Sequence, residues 1–146
     1  MSYVVSTESD IDAGPDEVWA VLVDLPRWGE WSSFSAAEGA LEVGQRLTMR
    51  MPGFTFHPRV SAVEPGRRLQ WSGTLLSERL FVGRHTFTLT ANPEGTTHVL
   101  NHEEFAGVAA DLLGRFTKKG GDNGYTAFNA GLKRYVEGRP EQHDRT

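Results

Sequence analysis

Between residues 34 and 105 apolar and polar positions alternate with a period of two, and helical spacing flanks that stretch on both sides. Residues 3–11 predict a first strand. Gly14-Pro15-Asp16-Glu17 is a helix start, with proline at the first helical position and acids in the first turn. Val18, Trp19, Leu22 and Leu25 follow at helical spacing until Pro26 stops the run. The segment from Pro26 to Trp31 carries two large aromatics, Trp28 and Trp31, and predicts a short second helix or a tight turn. Strand-like runs then cover 34–38, 46–51, 54–63, 68–75, 83–91 and 96–105. Val43-Gly44, Pro52-Gly53, Glu64-Pro65-Gly66 and Asn92-Pro93-Glu94-Gly95 are turn signals between most of them. Helical spacing returns over about 108–137.

Six consecutive strands at hairpin spacing predict an antiparallel meander. With the first strand they make a curved seven-stranded sheet. The long C-terminal helix is the only element large enough to cover its concave face, and the two short helices plug one end. The expected class is α+β, with residues 1–138 as one domain and 139–146 as a flexible polar tail. Such a layout encloses volume rather than filling it.

Strand alternation sorts side chains by face. Leu47, Met49 and Met51 share one face of their run. Leu69, Trp71 and Gly73 share a face of the next but one, as do His85, Phe87 and Leu89 further on. Val99, Asn101, Glu103 and Phe105 oppose His98, Leu100, His102 and Glu104. In the run 54–63, Phe56, Pro58, Val60 and Ala62 are assigned inward, and His57, Arg59, Ser61 and Val63 outward. Pro58 marks a bulge or an edge there. The inner wall is therefore apolar and aromatic, interrupted by His85, Asn101 and Glu103, which is the usual makeup of a small-molecule site. A buried His beside a buried Glu is equally a satisfied structural pair.

Composition changes this picture by exclusion. A net charge of −4 argues against binding a phosphate backbone. No run of about 18 apolar residues occurs, so no membrane insertion is expected. Absence of cysteine removes disulfides and thiolate zinc sites and suits a reducing compartment. With no signal-peptide pattern after Met1, the expected location is the cytoplasm. His102-Glu103 begins like H-E-x-x-H, but Ala106 stands where the second histidine belongs. Gly120-Gly121-Asp122-Asn123-Gly124 lacks the lysine and hydroxyl of a phosphate loop, and no G-x-S-x-G elbow is present. Neither a metal nor a cofactor is expected. What survives is acid–base chemistry: His85 and Glu103 as a proton-moving pair, with Asn101 and Trp71 as hydrogen-bond donors toward a carbonyl.

The C-terminal helix adds one feature. Leu112 and Phe116 mark its inward face, which then steps onto Gly120 and Gly124 before Tyr125, Phe128, Leu132 and Tyr135 restore it. Either the glycines break the helix, as a C-cap and a new N-cap, or they leave room for a ligand above Trp71 and His85.

Several segments carry a resemblance to a known family. They are Ile11-Asp12-Ala13-Gly14-Pro15-Asp16-Glu17-Val18-Trp19 with Leu25-Pro26-Arg27-Trp28-Gly29-Glu30-Trp31, then Leu69-Gln70-Trp71 and Gly83-Arg84-His85-Thr86-Phe87-Thr88-Leu89, and finally Glu103-Glu104-Phe105-Ala106-Gly107 and 124–133. Together they resemble the SRPBCC superfamily, the START/Bet v 1-like domains with the helix-grip fold, nearest its bacterial polyketide cyclase/dehydrase branch. The resemblance implies a small hydrophobic ligand, aromatic or lipid-like, held in an internal cavity by a carrier or sensor; the alternative is a cyclase or dehydratase using His85 and Glu103. The lining expected for that cavity is Trp28, Trp31, Met49, Met51, Phe56, Trp71, Phe87, Val99, Asn101, Phe105, Phe116, Gly120, Gly124 and Phe128. A monomer or homodimer is expected.

Overall fold

The structure is a computed structural model that describes residues 2–75, 77–107 and 110–139, with side chains over 4–53, 55–74, 82–107 and 124–139. Strand β1 (Ser2–Ile11) leads into helix α1 (Pro15–Leu22), whose start is the expected Gly14-Pro15 signal. Pro26 sits at the start of a separate 3-10 helix, Leu25–Glu30, so Leu25 belongs to this turn and not to α1. Strands β2 (Ala36–Glu38), β3 (Thr48–Met51), β4 (Phe54–Phe56), β5 (Arg59–Glu64), β6 (Arg68–Leu75), β7 (Ser77–Ala91) and β8 (Thr97–Ala106) follow. Helix α2 (Ala110–Glu137) closes the chain.

The α+β helix-grip expectation holds: a large antiparallel sheet is gripped around a C-terminal helix. The sheet is open, and its strands number eight among the described residues rather than seven. Five run in the order β1-β8-β7-β6-β5 and three in the order β2-β3-β4. The difference arises where one strand was expected over 54–63. The His57-Pro58 step interrupts it, because proline has no N–H for a ladder. The two sheets stay joined there, since Leu47 N–H donates to the Pro58 carbonyl at 2.8 Å and Val60 N–H to the Gln45 carbonyl at 2.9 Å. A register shift between Val60 and Ala62 then reverses the facing. Val63, expected outward, packs on the core instead.

Helix α2 runs without interruption through Gly120 and Gly124, so the cap-and-restart alternative is overturned. It is fastened to β1 and its exit by polar contacts: Lys133 Nζ donates to the Asp10 carbonyl at 2.6 Å, and Asp12 N–H to Glu137 Oε2 at 2.8 Å. The side chain of Phe116, the surroundings of Gly120 and the tail beyond 139 lie outside the described residues. No helix among the described residues is long and apolar enough to cross a membrane.

The core is aromatic and sits at the α1 end of the grip. Trp28 is fully buried, and its indole N–H donates to the Leu22 carbonyl at 2.9 Å. Its ring lies 5.1 Å from Phe34, 5.1 Å from Phe128, 5.5 Å from Trp31 and 5.9 Å from Trp71, mostly in edge or tilted geometry favourable for ring quadrupoles.

Candidate functional site

Register places the polar residues of the inner face in rows. Antiparallel pairing puts Trp71 opposite His85, His85 opposite Glu103, and Glu103 opposite Val5. One row toward the core stand Leu69, Phe87 and Asn101; one row the other way stand Gly73, Gly83 and Phe105. Directly opposed side chains lie close enough to bond, so the His85–Glu103 contact follows from the ladder itself.

His85 Nδ1 lies 3.2 Å from Glu103 Oε1, and the Tyr125 hydroxyl from α2 donates to the same oxygen at 2.9 Å. On its other side His85 Nε2 is 2.5 Å from Asn101 Oδ1, and Asn101 Nδ2 donates to Asn129 Oδ1 at 3.1 Å. Glu103 Oε1 and Asn101 Oδ1 each face a ring nitrogen, an arrangement that favours the protonated ring. Burial alone would push the His85 pKa down, but the Glu103 carboxylate and the two hydrogen bonds outweigh it and hold the value above the ordinary one. Burial alone would likewise raise Glu103, yet His85 and the Tyr125 hydroxyl bring it below the usual carboxylate range. Both shifts favour the charged forms of the pair.

The pair borders a gap. A Cβ built on Gly73 would meet nothing within 4 Å, and the same holds for Gly124 on the helix. Gly83, paired to Gly73, would place its Cβ 3.3 Å from Glu103 Oε2 and from the Phe105 ring. The His85 and Glu103 side chains keep 15% and 16% exposure, whereas Trp71 in the same row keeps 3% and Asn101 in the next row none. Among the described residues, aromatic packing fills one half of the grip, while Gly73 in the other half meets no side chain, with the His85–Glu103 pair at the boundary.

A family model described as polyketide cyclase / dehydrase and lipid transport matches residues 3–137. The chain belongs to this family. Solved structures agree on the fold. A hypothetical protein of Helicobacter pylori aligns with TM-score 0.78 and 20% identity, covering 92% of this chain and 88% of that one. A Mesorhizobium loti protein gives 0.74 and 26% over 92% and 97%, and the Zhui aromatase/cyclase of a Streptomyces species gives 0.77 and 15% over 94% of both chains. A search of curated proteins returns no match. Family and fold together support a ligand-binding or polyketide cyclase-like role.

Among the residues expected to line a cavity in this family member, the structure separates two groups. Trp28, Trp31, Met49, Phe87 and Phe128 are buried in the aromatic core and pack on one another, with Phe56 against Phe34 at its margin. Val99 is fully buried one strand away, and Met51 is half-buried beyond Met49. Trp71, His85, Asn101, Glu103 and Phe105 are the ones that strand register and the polar network bring together, whereas Gly124 is exposed on α2. The sequence pattern places Tyr125 only on an apolar helix face and does not point to Asn129. Helical spacing carries the signal for both, since each falls within four residues of Phe128 or Leu132 on the buried face. Among the described residues no cluster of three or more His, Asp or Glu is arranged to hold a metal ion. Two surface grooves, of about 440 and 330 Å³, lie beside Arg27 and Arg134 and beside Pro26 and Leu41; neither includes His85 or Glu103.

Proposed function

We propose that this family member binds a small, mainly apolar molecule in the space over Gly73, beside Glu103 and Phe105, as a carrier or sensor. The observation that carries this reading is the pairing of two glycines on the inner sheet face beside an ion pair that is still partly exposed. A structural ion pair with no partner to meet is normally sealed by its neighbours, because burying charge without full compensation is costly. Here the floor beside it has no side chains. Trp71 and Phe105 supply apolar walls, and Glu103 supplies the few polar atoms such a site uses for orientation.

The alternative, a cyclase or dehydratase using His85 and Glu103 as acid and base, receives less support. Both His85 nitrogens are engaged, by Glu103 and Asn101, so the ring has no lone pair free to act as the base. A general base works best with a pKa near the operating pH and a free lone pair. In this reading the protein acts in the cytoplasm, as a monomer or homodimer.

Titration with polyaromatic and long-chain ligands, followed by tryptophan emission and melting temperature, tests the proposal. Saturable changes are expected in the wild type, because Trp71 stands next to Gly73 on the same face. Gly73→Leu fills the floor and should abolish them while the domain stays folded. A folded Gly73→Leu variant that binds like wild type would place the ligand elsewhere and overturn the reading.

A further inference from the structure

The hydrogen-bonding capacity left over at the ion pair specifies the polar end of the ligand. Glu103 Oε1 is used twice, by His85 Nδ1 and by the Tyr125 hydroxyl. Oε2 accepts no hydrogen bond among the described residues, and it lies over Gly83, where a Cβ would come within 3.3 Å of it. The donors around it are already committed: His85 gives one N–H to Glu103 and the other to Asn101, and Tyr125 gives its hydroxyl to Glu103. The boundary of the gap therefore presents one acceptor oxygen carrying negative charge, flanked by the apolar Phe105 ring and the glycine floor.

We infer that the bound molecule offers a neutral hydrogen-bond donor, a phenol or alcohol hydroxyl, to Glu103 Oε2, and that the site rejects the same skeleton bearing a carboxylate. A hydroxyl completes the unused lone pairs of a charged acceptor, which is among the stronger hydrogen bonds available in a protein. A carboxylate arriving at the same point meets like charge, finds no uncommitted donor among these residues and leaves its own shell of water. This specificity rests on the ligand-binding reading above and narrows it to a class of head group.

Calorimetric titration of naphthalene, 2-naphthol and 2-naphthoate at neutral pH tests it, with the wild type, Glu103→Gln and Gly83→Ala. Wild type should prefer 2-naphthol to 2-naphthoate by about tenfold or more, the scale of a hydrogen bond to a charged acceptor. Glu103→Gln, which can donate as well as accept, should bring the two within about threefold. Gly83→Ala keeps the charge but sets a methyl against Oε2, so it should weaken 2-naphthol selectively; it also carries the test should Glu103→Gln not fold. Equal or tighter binding of 2-naphthoate by wild type overturns the inference, as does naphthalene binding as tightly as 2-naphthol. Failure of all three probes to bind wild type instead overturns the ligand-binding reading itself.

Discussion

His85 stands between Glu103 and Asn101, and both contacts favour its charged form. The same imidazole on an apolar inner wall without Glu103 would be neutral, since burial disfavours the cation. Replacing Glu103 by Gln keeps the volume and removes the charge, and the His85 midpoint should then fall below its wild-type value. NMR titration of the His85 ring in both proteins measures this directly. Identical midpoints would show that the 3.2 Å contact carries no electrostatic coupling.

At the scale of elements, α2 is seated by close approach at one point and by its absence at another. The Trp31 carbonyl comes so near Gly131 that a Cβ there would overlap it, and the obstacle is backbone. Gly124, one turn before Phe128, faces open space. The same substitution should therefore act in opposite directions. Gly131→Ala must push the 3-10 helix off α2 and should destabilise by about 1–3 kcal/mol. Gly124→Ala relieves the helix-propensity penalty of glycine and should stabilise by up to about 1 kcal/mol. Chemical denaturation of the two variants checks the signs. A neutral Gly131→Ala would mean that the Trp31 segment yields easily, and that the aromatic plug is looser than its packing implies.

The whole molecule should register the ion pair in its pH dependence. His85, with its pKa raised in the fold, contributes stability that is full below the unfolded value of about 6.5 and is lost as pH rises through the folded value. Glu103, with its pKa lowered, contributes stability present above the unfolded value of about 4.5 and lost as pH falls through the folded one. The pair thus stabilises most between about pH 4.5 and 6.5. Half-buried His98, raised by the hydrogen bonds it donates to Glu8 and then Asp10, acts with the same sign as His85, so the comparison needs a variant. Unfolding free energy measured from pH 4 to 9 should decline less steeply on the alkaline side in Glu103→Gln than in wild type. Parallel curves would assign the alkaline loss to His98 and other surface groups.

Period and turn chemistry, readable in one dimension, were enough for the class of fold, the order of its elements and the facing of most strands. The Gly14-Pro15 helix start, the hairpin turns and the alternation through Thr97, Val99 and Asn101 all encode local rules that do not depend on distant partners. The inward facing of His85 and Glu103 belongs to the same category. Register does not: that the two stand opposite each other depends on how β7 slides along β8, which many distant contacts settle together. The reversal at Val60 and Ala62 was hidden for the same reason, since a bulge is a property of two strands and not of one. Asn129 was passed over because a polar residue in a helix reads as solvent-facing until the buried Asn101 amide is found beneath it. The division of the inner wall into filled and open halves also came only from tertiary structure. Trp28 and Phe87 carry the same apolar signature as Phe105, and only packing in three dimensions shows which rings meet one another and which lies over Gly83 beside Glu103.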